Sequence, residues 1–143
     1  MPYKFVEGLT TADIAFEATG KSLEELFTSA ADAMMNTQVD DLKKIELKKE
    51  TKFTVKAPDV EKLLYNFLEE LIFYKDAEQL IFAKYELKAE KVAEGYVLSV
   101  KAKGETLDQK KHTLVADVKA VSWHKFKVEK TKEGWKAIVI VDV

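Results

Sequence analysis

Neither cysteine nor arginine occurs in this 143-residue chain, and each absence closes off a class of chemistry. Without cysteine there are no disulfides, thiolate metal sites or cysteine nucleophiles, which fits a reducing compartment. Without arginine the chain lacks the planar fork that suits guanine edges and phosphates, and its 23 basic residues are all lysine. They are interspersed with 25 acids, and a net charge of −2 creates no dominant field to attract nucleic acid. Sequence-specific reading of RNA or DNA by this chain alone is not expected. Long apolar runs are missing too: the longest, AIVIV at 137–141, is far short of a membrane span. The N-terminal MPYKFVEGL lacks the basic-then-apolar order of a signal peptide. The expectation is a soluble cytoplasmic protein that does not enter a membrane.

Catalytic signatures are missing as well. There is no GxGxxG, GxxxxGK[ST], GxSxG or HExxH, so dinucleotide, phosphate-loop, hydrolase-elbow and zincin readings lack their motif. His112 and His124 are the only histidines, which makes a zinc site of ordinary composition improbable. Ser122 and His124 share one face of a strand pattern, but no orienting carboxylate is near in sequence, so no catalytic residue is assigned. His124 shares that face with Val118, Ala120, Phe126 and Val128 and reads as a partly buried, hydrogen-bonded side chain.

What is present fits one domain over residues 1–143, with 47% hydrophobic residues to build its core. TTADIAFEAT alternates like a strand. In GKSLEELFTSAADAMM, Gly20 ends that strand, Ser22 caps a helix and Glu25 completes a capping box. Leu23, Leu26, Phe27, Ala30 and Met34 then form its apolar face. From Leu42 to Ala57 the spacing changes to two, giving two strands or one bent one. Pro58 and Asp59 open a second helix, with Leu63, Leu64, Phe67, Leu68, Leu71 and Ile72 as a stripe running to about Tyr74. QLIFAKYELKAEKV, GYVLSVKAKGE, LVADVKAVSWHKFKVEKT and GWKAIVIVDV each alternate like strands. The predicted architecture is α+β and two-layer: two helices on one face of a mostly antiparallel or mixed sheet of six or seven strands.

Asp13 begins the first apolar strand and reads as a turn former or as a ligand for a cation. Asp142 ends the last strand, on the face of Ile138 and Ile140. With nearby carbonyls and the carboxylate of Val143, it could offer hard oxygen donors of the kind Ca²⁺ or Mg²⁺ prefers. Spacing alone does not pair Asp13 with Asp142. Asp40 and Asp41 lie in an acidic helix exit of equally open meaning, and His112 sits in a polar loop after LDQKK.

Taken in order, TTADIAFEATGKSLEELFTSAADAMMNTQVDD, VEKLLYNFLEELIFYKD, the GE at 104–105 with His112, VKAVSWHKFKVE and the terminal IVDV resemble the archease family over nearly the whole chain. The resemblance implies a non-catalytic accessory factor. It would activate an RtcB-type tRNA-splicing ligase, promoting its guanylylation and multiple turnover and touching tRNA only indirectly. A chaperone-like role toward a tRNA cytosine-5 methyltransferase is the alternative; a stand-alone metal-dependent hydrolase lacks a water-activating base. The family's metal site maps onto Asp13, Asp142 and Val143, with Asp40 as a further candidate ligand and Ca²⁺, Mg²⁺ or Mn²⁺ as the cation. Lys119, His112 and Glu105 become candidates for contact with a partner. Thr10 stands where many family members have histidine, and it cannot replace an imidazole.

Overall fold

The computed structural model describes residues 2–7 and 13–143. Thr10 and the first residues of the T-A-D block therefore lie outside the described residues. The elements are β1 (Tyr3–Val6), β2 (Ile14–Gly20), α1 (Leu23–Gln38), a 3₁₀ turn (Leu42–Lys44), β3 (Lys49–Ala57), α2 (Val60–Glu78), β4 (Leu80–Val92), β5 (Gly95–Thr106), β6 (Ala120–Thr131) and β7 (Gly134–Asp142).

Both helices start where their capping chemistry dictates. Ser22 Oγ accepts the Glu25 N–H at 3.1 Å. The Glu25 carboxylate reaches back to the Lys21 N–H at 2.7 Å, one residue before the cap, so the expected box closes on a neighbouring amide. At α2, Asp59 Oδ1 accepts the Lys62 N–H at 2.8 Å, which makes Asp59 the cap and places Pro58 just outside the helix. The helix runs on to Glu78 and ends on Gln79, whose left-handed backbone (φ 56) turns the chain into β4. The ambiguous stretch after α1 resolves into the 3₁₀ turn, capped by Asp41, and the single strand β3.

Two helices and seven strands make an α+β fold. The strands, however, form two antiparallel sheets, ordered β1-β2-β7-β6 and β3-β5-β4, where one sheet was expected. Alternation identifies strands but not their partners. The β4–β5 hairpin recruits β3, the β6–β7 hairpin recruits β2 and β1, and the irregular segment 107–119 carries the chain between the two sheets. α1 lies on β2 and reaches β4; α2 lies on β3 and reaches β6.

The helices meet through Phe27 and Phe67, whose rings stack with centroids 5.8 Å apart. Leu26, Phe27, Ala30, Leu64, Phe67, Leu68 and Leu71, the stripe residues expected to face the sheet, are all buried in one cluster with residues of both sheets. Each large apolar side chain so buried contributes about 1.5–3 kcal/mol. The two helices also serve the sheet edges. The Glu24 carboxylate accepts the Ala89 N–H of β4, while Glu69 and Glu61 accept the Val121 and Val128 N–H groups of β6, each at 3.0 Å.

One strand breaks its own period. Between Ser122 and Lys127 of β6, five steps face only two steps of β7, and Lys125 takes a positive φ of 57°. This bulge turns Trp123, His124 and Lys125 outward. The expectation of a partly buried His124 is thereby corrected: its side chain is exposed, and its N–H donates to Ser122 Oγ at 3.1 Å.

Candidate functional site

The antiparallel register of β2 and β7 sets Ile14 opposite Val141 and Ala15 opposite Ile140. Asp13 immediately precedes β2 and Asp142 closes β7, so the pairing brings the two acids to the same end of adjacent strands. Phe16, Ala18, Ala137, Val139 and Val141 enter the core, so the strand period assigns Asp142 to the outer face together with Ile138 and Ile140. Thus the two acids that spacing alone could not pair are brought to the same end of adjacent strands by sheet pairing. The carboxylate of Asp142 makes no hydrogen bond or ion pair among the described residues.

The segment before β6 holds this end in place. Asp142 O accepts the Lys119 N–H at 2.8 Å, so one carbonyl expected to be open to a cation is already engaged. Upstream, Gln38 at the end of α1 accepts the Val115 N–H with its backbone oxygen (2.8 Å) and the Val118 N–H with its side chain (3.4 Å). Buried Lys75 on α2 donates to Val118 O at 2.7 Å and pairs with Asp76 and Asp117. Both helix C-termini therefore clamp residues 115–118, which deliver Lys119 to Asp142. Lys119 itself is exposed beside the acid pair.

Asp40 lies just beyond α1, with its N–H donating to Thr113 O at 3.2 Å. Among the described residues no three acids or histidines gather into a group able to hold a metal, so Asp40 is not collected with Asp13 and Asp142. Glu105 and His112 are brought together, but away from solvent. His112 is 1% exposed and Glu105 6%, so both side chains are buried. The Asp108 N–H donates to His112 Nδ1 at 3.0 Å, so the ring proton sits on Nε2 and points at Glu105, 2.9 Å away. Burial would lift the Glu105 carboxyl, but the Glu46 N–H, Lys111 and His112 outweigh burial and hold it at about 2. This pair ties the loop after β5 to the segment before β3.

An aromatic cluster near Asp142 is not visible in the order of residues. Trp123, half exposed on the β6 bulge, stacks on Phe126 at 5.1 Å, and Tyr65 of α2 meets both rings edge-on at 5.0 and 5.8 Å. Lys62 lies over the Trp123 ring at 5.8 Å. Burial raises the Tyr65 phenol, with smaller contributions from the Glu69 and Asp142 carboxylates, which places Tyr65 in the electrostatic neighbourhood of the acid pair. Sequence signals existed in Trp123 and Tyr65 themselves, but only the bulge makes neighbours of them.

The model of the Archease protein family matches residues 3–143. The chain belongs to the archease family. Protein archease of Pyrococcus abyssi is 43% identical over 93% of this chain and 94% of its own length. The archease of Methanosarcina mazei is 35% identical over 99% of this chain and 95% of its own. The solution structure of Methanobacterium thermoautotrophicum protein 1598 superposes with a TM-score of 0.86 at 33% identity, covering 99% of both chains. An archease of Thermotoga maritima, described as a possible chaperone, shares the fold with a TM-score of 0.58 at 20% identity. No helix among the described residues is long and apolar enough to cross a membrane.

Chemically, the acid-pair end offers hard oxygen donors, and among the described residues no serine there is aligned with a histidine base. Ser122, the one hydroxyl considered for that role, already accepts the His124 N–H. Two acids at the same end of adjacent strands suit a cation, and the carboxylate of Asp142 has no hydrogen-bond or ion-pair partner among the described residues. A complete Ca²⁺ shell needs 6–8 oxygens, so backbone oxygens and water would supply the remainder.

Proposed function

We propose that this archease-family chain is a cytoplasmic, non-catalytic accessory factor of an RtcB-type tRNA-splicing ligase, promoting the ligase's guanylylation and multiple turnover. The observation that supports the reading is the β2–β7 pairing, which brings the chain positions of Asp13 and Asp142 to one end of the sheet, where Lys119 and Trp123 are exposed. Asp13, Asp142 and a backbone oxygen of Val143 would hold the cation, with Asp40 as an outer contributor. Ca²⁺ suits these donors best, ahead of Mg²⁺ or Mn²⁺, because its flexible shell tolerates a set that water completes. Bound there, the cation would supply fixed positive charge at the edge of a surface that meets the ligase. The chain's own part is to hold Asp142 still, through Lys119, Gln38 and Lys75, and to present it. A chain with no arginine and a net charge of −2 contributes little direct grip on tRNA, which suits action through a protein partner.

The decisive assay is steady-state RNA ligation with the ligase limiting and GTP and metal present. Wild-type chain should raise turnover, and a folded Asp142→Ala chain should lose the stimulation together with Ca²⁺ binding by calorimetry. Full stimulation by a folded Asp142→Ala variant would defeat the cation role. No stimulation by the wild type would defeat the ligase role and leave the methyltransferase partner to be tested.

A further inference from the structure

A second site lies at the other end of the molecule. A cleft of about 1010 Å³ opens among the first turns of α1, the middle of β4 and the start of β7. Six strand steps separate its Lys136 from Asp142, about 20 Å at strand rise. Two glycines shape its walls. A Cβ on Gly20 would fall 2.2 Å from the Leu26 backbone nitrogen, and one on Gly134 (φ 149) would fall 2.3 Å from Gly20 O. Only residues without a side chain let α1, β2 and β7 converge this closely.

The floor of the cleft holds two polar groups that the protein leaves unused. Tyr85 is 9% exposed, with its ring against Phe67 and Phe82, and its hydroxyl is buried with no hydrogen-bond partner. A buried hydroxyl in that state costs about 1–3 kcal/mol unless something in the cleft engages it. Asp32 of α1 lies close enough to act on that hydroxyl electrostatically, and it too makes no hydrogen bond or ion pair among the described residues. Burial lifts its carboxyl to about 6. Lys21, Lys132 and Lys136 line the cleft without pairing with Asp32, and Lys136 is occupied by Glu17 and Glu129 at 3.3 and 3.5 Å. Leu87 and Trp135 supply apolar wall.

These groups select a ligand by chemistry. An anion would meet an uncompensated carboxylate at the floor. A bare divalent ion would find one carboxylate and one phenol, too few for its shell. A group with several N–H donors satisfies Asp32 and Tyr85 together, and an attached apolar body covers Leu87 and Trp135. We propose that this cleft binds a small organic ammonium compound, an amine of low molecular mass, with its cationic head between Asp32 and Tyr85. The site is independent of the Asp13–Asp142 end and of the ligase reading. Its volume is at the upper end for a small-molecule pocket, which leaves room for an amine larger than the probes below.

The test is NMR titration of the full chain with n-butylammonium, n-butyrate and a capped tripeptide with a central lysine. n-Butylammonium should shift the amides around Asp32 and Tyr85, whereas butyrate should leave them in place. Asp32→Asn should weaken the amine by at least about tenfold and Tyr85→Phe by less, as expected for loss of a charge-assisted and a neutral hydrogen bond. Circular dichroism shows whether each variant is folded, and the discrimination between ammonium and butyrate by wild type decides the matter without them. Equal response to butyrate, no response to n-butylammonium, or unchanged affinity in folded Asp32→Asn would overturn the proposal. Tighter binding of the lysine tripeptide would overturn the small-molecule assignment in favour of a partner's side chain.

Discussion

Glu105 and Asp32 are both withdrawn from bulk water, yet their carboxyl groups shift in opposite directions, to about 2 and about 6. The difference is the company each keeps. Glu105 receives the Glu46 N–H at 2.7 Å, His112 at 2.9 Å and Lys111 at 2.8 Å, so its charge is solvated by the protein. Asp32 shares its cleft with the unpartnered Tyr85 hydroxyl and receives no hydrogen bond among the described residues. One end of the molecule has completed its polar network, and the other has left a network open at the floor of a cleft. Desolvation is common to both; the supply of donors decides the outcome.

The comparison breaks most visibly at the completed end. Glu105→Ala leaves the His112 Nε2–H and the Glu46 N–H without their acceptor, and should cost about 2–3 kcal/mol of stability in urea denaturation. A loss below about 0.5 kcal/mol would mean that water replaces the carboxylate and that the network holds nothing. At the open end the direction reverses. The folded Asp32 retains a proton that the unfolded chain releases, so its contribution to stability falls as pH rises from its ordinary 3.8 through about 6. Asp32→Asn removes that loss. The variant should gain on the wild type with rising pH and level off near pH 7 at about 1–2 kcal/mol, a two-unit shift being worth about 3 before the discount for partial exposure. Glu105 titrates oppositely: its contribution is complete above its ordinary 4.5 and is lost as pH falls toward about 2. A flat Asp32→Asn difference across pH 4–7 would erase the contrast between the two acids. The smallest effect belongs to Tyr85→Phe, which removes an unpartnered hydroxyl. It should leave stability unchanged or raise it by about 0.5–1 kcal/mol, read as a shift in melting temperature.

Much of the scaffold was legible because local rules and tertiary packing agree. Ser22 and Asp59 cap where their side chains can reach an amide three residues on, and the 3.6-residue stripes mark the buried faces of both helices. Family resemblance singled out residues 13 and 142 together, and the pairing of β2 with β7 brings those chain positions to one end of the sheet, which sequence spacing does not show. Other features were hidden for particular reasons. His112 follows two lysines in a polar loop, yet it is buried because Glu105 and the Asp108 amide use both ring nitrogens. His124 reads as inward until the bulge in β6 resets the alternation. Asp32 sits between Ala31 and Ala33 like any solvated helix residue, and nothing in the order of residues reveals that it shares a cleft with Tyr85, 53 positions later. Two sheets instead of one follow from strand partnership, which alternation does not encode.

The glutamates that reach from the helices to Ala89, Val121 and Val128 have a consequence for how copies of the chain behave in a crowded cell. A strand edge with free amides is a template on which a neighbour can add a strand and start an aggregate. On β4 and β6, an incoming chain would first have to evict a carboxylate from an amide it already holds. β3, the other edge of its sheet, presents Lys49, Lys52 and Lys56, each exposed, so a second copy docking there in parallel or antiparallel fashion would bring like charges together. The helices thus act as guards on self-association as well as core, each through half-buried glutamates that occupy amides of the sheet edges.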